Sequence, residues 1–151
     1  LKCLKSILYM FHLMHCGADN SEHNNSLWNN RIYNYGAEYF IILKQEILRL
    51  SEFALKFTSE LGFLLLHAYD SKFAYFPEKL QHIIQQELEK FLTIGISHGF
   101  IRNAHIPILS KVCCGIITTM INLLIIDSYK PLQGIIVQET IEIIINGIKK
   151  I

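Results

Sequence analysis

From Phe40 onward, apolar residues fall at Leu43, Ile47, Leu50, Ala54, Phe57, Leu61 and Leu64, stepping by three and four without a miss. Lys44, Glu46, Arg49, Glu52, Lys56 and Glu60 occupy the faces between them. This stripe predicts an amphipathic helix of several turns, loosened or ended at Gly62, with a short Leu-rich helix from Phe63. Its flanks lack the ordered charge pairs of a coiled coil, so it is expected to face the chain's own core. A connector over 70–76 leads to Pro77, a first-turn residue opening a second stripe through Leu80, Ile84, Leu88, Phe91 and Gly95. Gly99 followed by Phe100 reads as a Schellman stop. Asn103 is placed to cap the next helix, with Pro107 in its first turn. Upstream, Leu4, Ile7, Leu8, Phe11 and His15 predict a helix over 1–16 closed by Gly17, and 18–30 reads as a polar loop pinned by Leu27 and Trp28.

The last third has a different pattern. Between Val112 and Ile126 there is no charged residue, and the only polar side chains besides the cysteines are Thr118, Thr119 and Asn122. After a break at Asp127–Pro131, the run resumes with Ile135, Ile136, Val137, Ile141, Ile143, Ile144, Ile145 and Ile148. Helices apolar on nearly every side must be buried on nearly every side. Two long helices, 106–126 and 132–151, are therefore expected to pair with a second copy of themselves. No alternating strand and no hairpin dipeptide interrupts the pattern, so the fold class is all-α, a multi-helix bundle of about six helices.

Composition narrows the classes. A chain of 151 residues can build one domain with its own core, and 51% hydrophobic against 18% charged residues excludes a disordered chain. The net charge of +1 comes without a basic block, so no electrostatic footprint for nucleic acid is present. The four cysteines, Cys3, Cys16, Cys113 and Cys114, form neither a CxxC pair nor a disulfide framework, which fits a reducing, cytoplasmic setting. The uncharged run falls short of the about 20 residues of a membrane span, and Lys111 and Asp127 bracket it. No membrane partner is expected.

The residues Ile94-Gly95-Ile96-Ser97-His98-Gly99-Phe100-Ile101 resemble the turn of helix, small residue, glycine and hydrophobic residue found in TetR-family transcriptional regulators. As in that family, an apolar helix carrying Gly115 follows, and the chain closes on Ile143-Ile144-Ile145-Asn146-Gly147-Ile148. The resemblance covers roughly Tyr39 to Lys150. It divides the chain into a poorly patterned 1–35 and a regulator-like 36–151 within a single helical domain. It implies an effector-binding and dimerisation domain whose final two helices form a four-helix bundle across a homodimer. The implied interface comprises Gly115, Thr118, Thr119, Asn122, Ile126, Ile136, Thr140, Ile144 and Gly147. The family's helix-turn-helix has no counterpart in 1–34, where no recognition helix and no cluster of Lys or Arg occurs. DNA contact is thus expected only through a module upstream of Leu1.

The resemblance also directs attention to an apolar cavity between the 40–64 helix and the helix that follows Pro77. Its expected walls are Phe57, Leu61, Leu64, His67, Phe91, Ile94, Cys113 and Met120, with His67, Tyr69, His98 and Asn122 as the polar groups that orient an apolar small-molecule effector. The simpler alternative is that all of these pack as core. His12, His15 and Cys16 share a helical face near His23, but a half-buried helix face accounts for them, and no metal or cofactor is expected. No GxSxG, HExxH, catalytic-cysteine motif or phosphate-cradling loop occurs, so no catalytic residue and no enzyme activity are expected. The rival to a sensor is a stand-alone helical interaction or scaffold protein without a small ligand.

Overall fold

The computed structural model describes residues 36–66 and 75–151. The chain divides into two compact units, Leu1–Tyr39 and Phe40–Ile151, close to position 36 where the sequence pattern changes. The expected helix over 1–16 and polar loop over 18–30 lie outside the described residues. The second unit is all-α. Its elements, in order, are α1 (Gly36–Lys56, whose first turn lies in the other unit), α2 (Thr58–Leu66), α3 (Tyr75–Ser97), α4 (Ile106–Leu124), a 3₁₀ turn (Asp127–Leu132) and α5 (Gln133–Ile148). The most extensive packing is of α3 on α4, followed by α4 on α5.

The core follows the predicted stripes. In α1, Leu43, Ile47, Leu50 and Ala54 are buried, and Leu61 continues the line in α2. In α3 the line is Ile84, Leu88 and Leu92, and in α4 it is Cys113, Ile117, Met120 and Leu124. Each such Leu, Ile or Met side chain removed from water stabilises the fold by about 1.5–3 kcal/mol before the entropy cost of ordering it. The break between α1 and α2 falls at Phe57 rather than at Gly62, which lies inside α2. There the Thr58 hydroxyl donates to the carbonyls of Ala54 and Leu55 at 3.1 and 3.0 Å, competing for the ladder that would continue α1.

Helix α3 begins two residues before Pro77, which still lies in the first turn, where a missing N–H costs nothing. Its end is the Schellman motif the sequence predicts. The Phe100 N–H donates to Gly95 O at 2.8 Å, the Gly99 N–H donates to Ile96 O at 3.0 Å, and Gly99 takes φ 72°. The cap of α4 differs from expectation. His105, in an extended conformation and without a side-chain cap bond, precedes the helix, and Asn103 lies exposed two residues upstream. Pro107 occupies the first turn as predicted.

Helix α5 is shorter than the predicted 132–151. Lys149 turns extended at φ −57° and ψ 139°, and pairs antiparallel with Ile101 in an isolated bridge. The Arg102 N–H donates to Ile148 O at 2.9 Å and the Lys150 N–H to Phe100 O at 3.4 Å. Backbone pairing with the α3–α4 link therefore replaces the last turn of helix.

Candidate functional site: the outer faces of the last two helices

Helix α4 has two faces of opposite character. One is buried, through Leu109, Ser110, Cys113, Cys114, Ile117, Met120, Ile121 and Leu124. On the other, Ile108, Val112, Gly115 and Thr119 are exposed, and Ile126 extends the line just past the helix end. Ile108, Val112, Gly115 and Thr119 recur every three or four residues, so they form one stripe on the helix, and Ile126 follows them in extended backbone. Ile108 is 63% and Val112 54% exposed, so among the described residues these apolar side chains are left without cover. The helix is long and apolar enough to cross a membrane by length and composition, and only 39% of its most apolar window is buried.

Helix α5 is less uniform. Val137, Thr140, Ile141, Ile144 and Ile148 are buried in the chain's own core. Opposite them lies a face of Gln138, Glu139 and Glu142 with the exposed Ile135 among them, in which the Gln138 amide donates to Glu142 at 2.7 Å. Beside that face, Ile136, Ile143 and Gly147 form an apolar flank, half-buried at Ile136 and exposed at the other two.

The structure thus separates the nine residues of the expected interface. Gly115, Thr119, Ile126 and Gly147 are exposed, and Thr118, Asn122 and Ile136 are half-buried. Thr140 and Ile144 are 6% and 2% exposed in the single chain, and the Thr140 hydroxyl donates to Ile136 O at 2.8 Å. Both side chains are buried in the core of the single chain. Ile108, Val112 and Ile143 are not among the nine residues of the expected interface. Their spacing was visible, but nothing in the pattern told the inner face from the outer one.

The expected cavity residues are also distributed unevenly. Leu61, Cys113 and Met120 are buried, whereas Phe57, Phe91, Ile94 and His98 are half-buried. The side chain of Leu64, together with His67 and Tyr69, lies outside the described residues, as do His12, His15, Cys16 and His23. Phe57 packs on Phe53 with ring centroids 4.9 Å apart. His98 is engaged at its own helix end. Its Nδ1 lies 2.9 Å from Ile94 O and 3.0 Å from Ser97 Oγ, and its ring stacks on Phe100 at 5.6 Å. Those contacts orient the imidazole toward the Schellman turn and its neighbours.

Ionisable groups in the bundle are few. Burial pushes the thiols of Cys113 and Cys114 above the ordinary range. The neighbouring Cys114 adds to the rise at Cys113 and Arg102 opposes it, while a hydrogen bond from Thr118 opposes the rise at Cys114. Both thiols are buried and protonated at neutral pH, and they behave as small hydrophobes. Burial likewise raises the Glu46 carboxyl, with Arg49, 2.8 Å away, pulling it down and Glu87 pushing it up. Among the described residues no group of three metal-ligating side chains comes together.

No protein-family model, curated protein or solved structure matches this chain.

Proposed function

We propose that the chain is the ligand-sensing and dimerisation domain of a TetR-like transcriptional regulator, self-associating through the outer faces of α4 and α5. The observation that carries this reading is the exposed stripe from Ile108 to Thr119, followed by Ile126. An apolar line of that length on a soluble helix calls for a cover, and a second copy of the same helix offers a matching one. Gly115 supports the same reading. A glycine inside a helix costs about 0.5–1 kcal/mol against alanine. Among the described residues, nothing beyond its own helix backbone and chain neighbours lies within 4 Å of the place its Cβ would take. A helix of a second copy packed against Gly115 supplies the reason that the chain's own core does not.

In this reading an apolar small molecule binds among α1, α3 and α4 and favours one dimer geometry over another. Its effect is bounded by its differential affinity for the two geometries. DNA would be reached only through a helix-turn-helix module outside this chain, and the cytoplasm is the matching compartment.

A second reading, a helical interaction or scaffold protein without a small ligand, is favoured by one observation. Ile41, Leu48 and Leu55 are exposed on α1 at intervals of seven residues, a line of the kind that meets another helix.

Native mass spectrometry of the purified protein tests the proposal. A two-chain mass that releases an apolar small molecule on denaturation supports the sensor. A two-chain mass with nothing to release moves the balance to the interaction protein, and a single-chain mass contradicts the dimer.

A further inference from the structure

We infer that Arg102 is a positioning residue for self-association, acting through the end of α5; this rests on the dimer reading above. The last four carbonyls of a helix have no partner within it. In α5 they belong to Ile145, Asn146, Gly147 and Ile148. The Lys149 N–H serves Ile145 at 2.9 Å, and Arg102 serves two of the others. Its backbone N–H donates to Ile148 O at 2.9 Å, and its side-chain Nε donates to Gly147 O at 2.8 Å from 45 positions away. The last turn of α5 carries no basic residue, Lys149 and Lys150 coming only past its end, and Arg102 adds a cation hydrogen-bonded to the negative end of that helix.

The turn that Arg102 holds is the one that carries Gly147, a turn beyond Ile143 on the apolar flank of α5. Arg102 and Gly147 are both exposed, so a Gly147 carbonyl released by Arg102 is taken up by water at little cost to folding. What the bond supplies is direction. It fixes the end of α5 before a second copy arrives, and ordering completed beforehand is not charged against association.

Two substitutions separate the donor from the charge. Arg102→Met keeps the apolar stem and removes the donor. Arg102→Gln sets an amide nitrogen the same number of bonds from Cα as the arginine Nε, keeping a donor without the charge. Dimer dissociation constants come from sedimentation equilibrium, and chain stability comes from urea unfolding at a dilution where each protein is a single chain. Arg102→Met is expected to weaken the dimer about tenfold, as lost preorganisation does, with the urea midpoint near that of the unaltered chain. Arg102→Gln recovers most of the loss. An unchanged dissociation constant in Arg102→Met overturns the role of Arg102 and leaves the dimer standing. So does a lowered urea midpoint with unchanged association, which makes Arg102 structural only. Arg102→Gln behaving like Arg102→Met overturns the hydrogen bond as the agent. An unaltered chain that stays single at every concentration overturns the dimer and this inference together.

Discussion

The Ser110 hydroxyl, fully buried at the α3–α4 contact, lies 3.3 Å from a carboxylate oxygen of Glu89 and 3.0 Å from the carbonyl of Pro107. One proton is shared between two acceptors, and Gln85 donates to the same Glu89 oxygen at 3.1 Å. The two helices that pack most extensively thus carry a polar tie inside an apolar seam. Ser110→Ala removes the donor and leaves the carboxylate to Gln85 and water, so it is expected to destabilise the chain by about 1 kcal/mol. Urea unfolding of the two proteins side by side measures it, and an unchanged midpoint would show that the tie contributes nothing.

The inner and outer faces of the last two helices make opposite predictions. Ile144→Arg places an unpaired charge in the core of the single chain and is expected to cost at least about 3 kcal/mol, abolishing the cooperative unfolding transition. Thr119→Arg lies on the outer face, so it leaves the cooperative transition in place and lowers it only by the association it removes. Circular dichroism during thermal unfolding distinguishes them. A folded Ile144→Arg chain would place that residue outside the core.

Gly115→Ala has a double effect. Among the described residues the added methyl meets nothing beyond its own helix, so the helix gains about 0.5–1 kcal/mol in the isolated subunit. The same methyl blocks a close approach by a second helix, so association weakens. Stability rising with no loss of association would remove Gly115 from the interface.

Glu46 gives the stability of the bundle a pH dependence of definite sign. Burial holds its carboxyl above the ordinary value of 4.5, so the folded chain takes up a proton more readily than the unfolded one. The contribution of a raised carboxyl is fully present below the unfolded value and is lost as pH rises through the folded one. Glu46→Gln removes that loss, offset by the broken pair with Arg49, which is a partly exposed ion pair worth at most about 1 kcal/mol. Chemical denaturation at intervals from pH 4 to 7 is expected to give a flatter stability profile for Glu46→Gln. A profile parallel to that of the unaltered chain contradicts the assignment.

The helices were legible in the sequence because burial and periodicity agree in most of them. Leu43, Ile47 and Leu50 repeat as a buried line, and the glycine at 99 takes the one backbone conformation that favours glycine. The end of α5 was not legible. Residues 149–151 have no local reason to leave the helix, and the partner that draws them away, Arg102, lies 45 positions before Gly147. The same limit applies to Thr140 and Ile144. In α5, isoleucine occupies so many positions that periodicity alone cannot tell the side facing α4 from the side facing outward. The candidate interface was therefore readable as a pair of helices but not as a set of residues. The apolar effector site had less support still, since Cys113 and Met120 pack in the core and His98 bonds to its own helix end.

Sedimentation equilibrium of the unaltered chain beside Val112→Arg tests the account most directly. Val112 is 54% exposed in the middle of the outer stripe, so arginine there meets only water in a single chain and an apolar surface in a pair. The account predicts two copies for the unaltered chain and one for Val112→Arg, with the same helical content in both. A single unaltered chain, or a Val112→Arg chain that pairs with undiminished affinity, would contradict it.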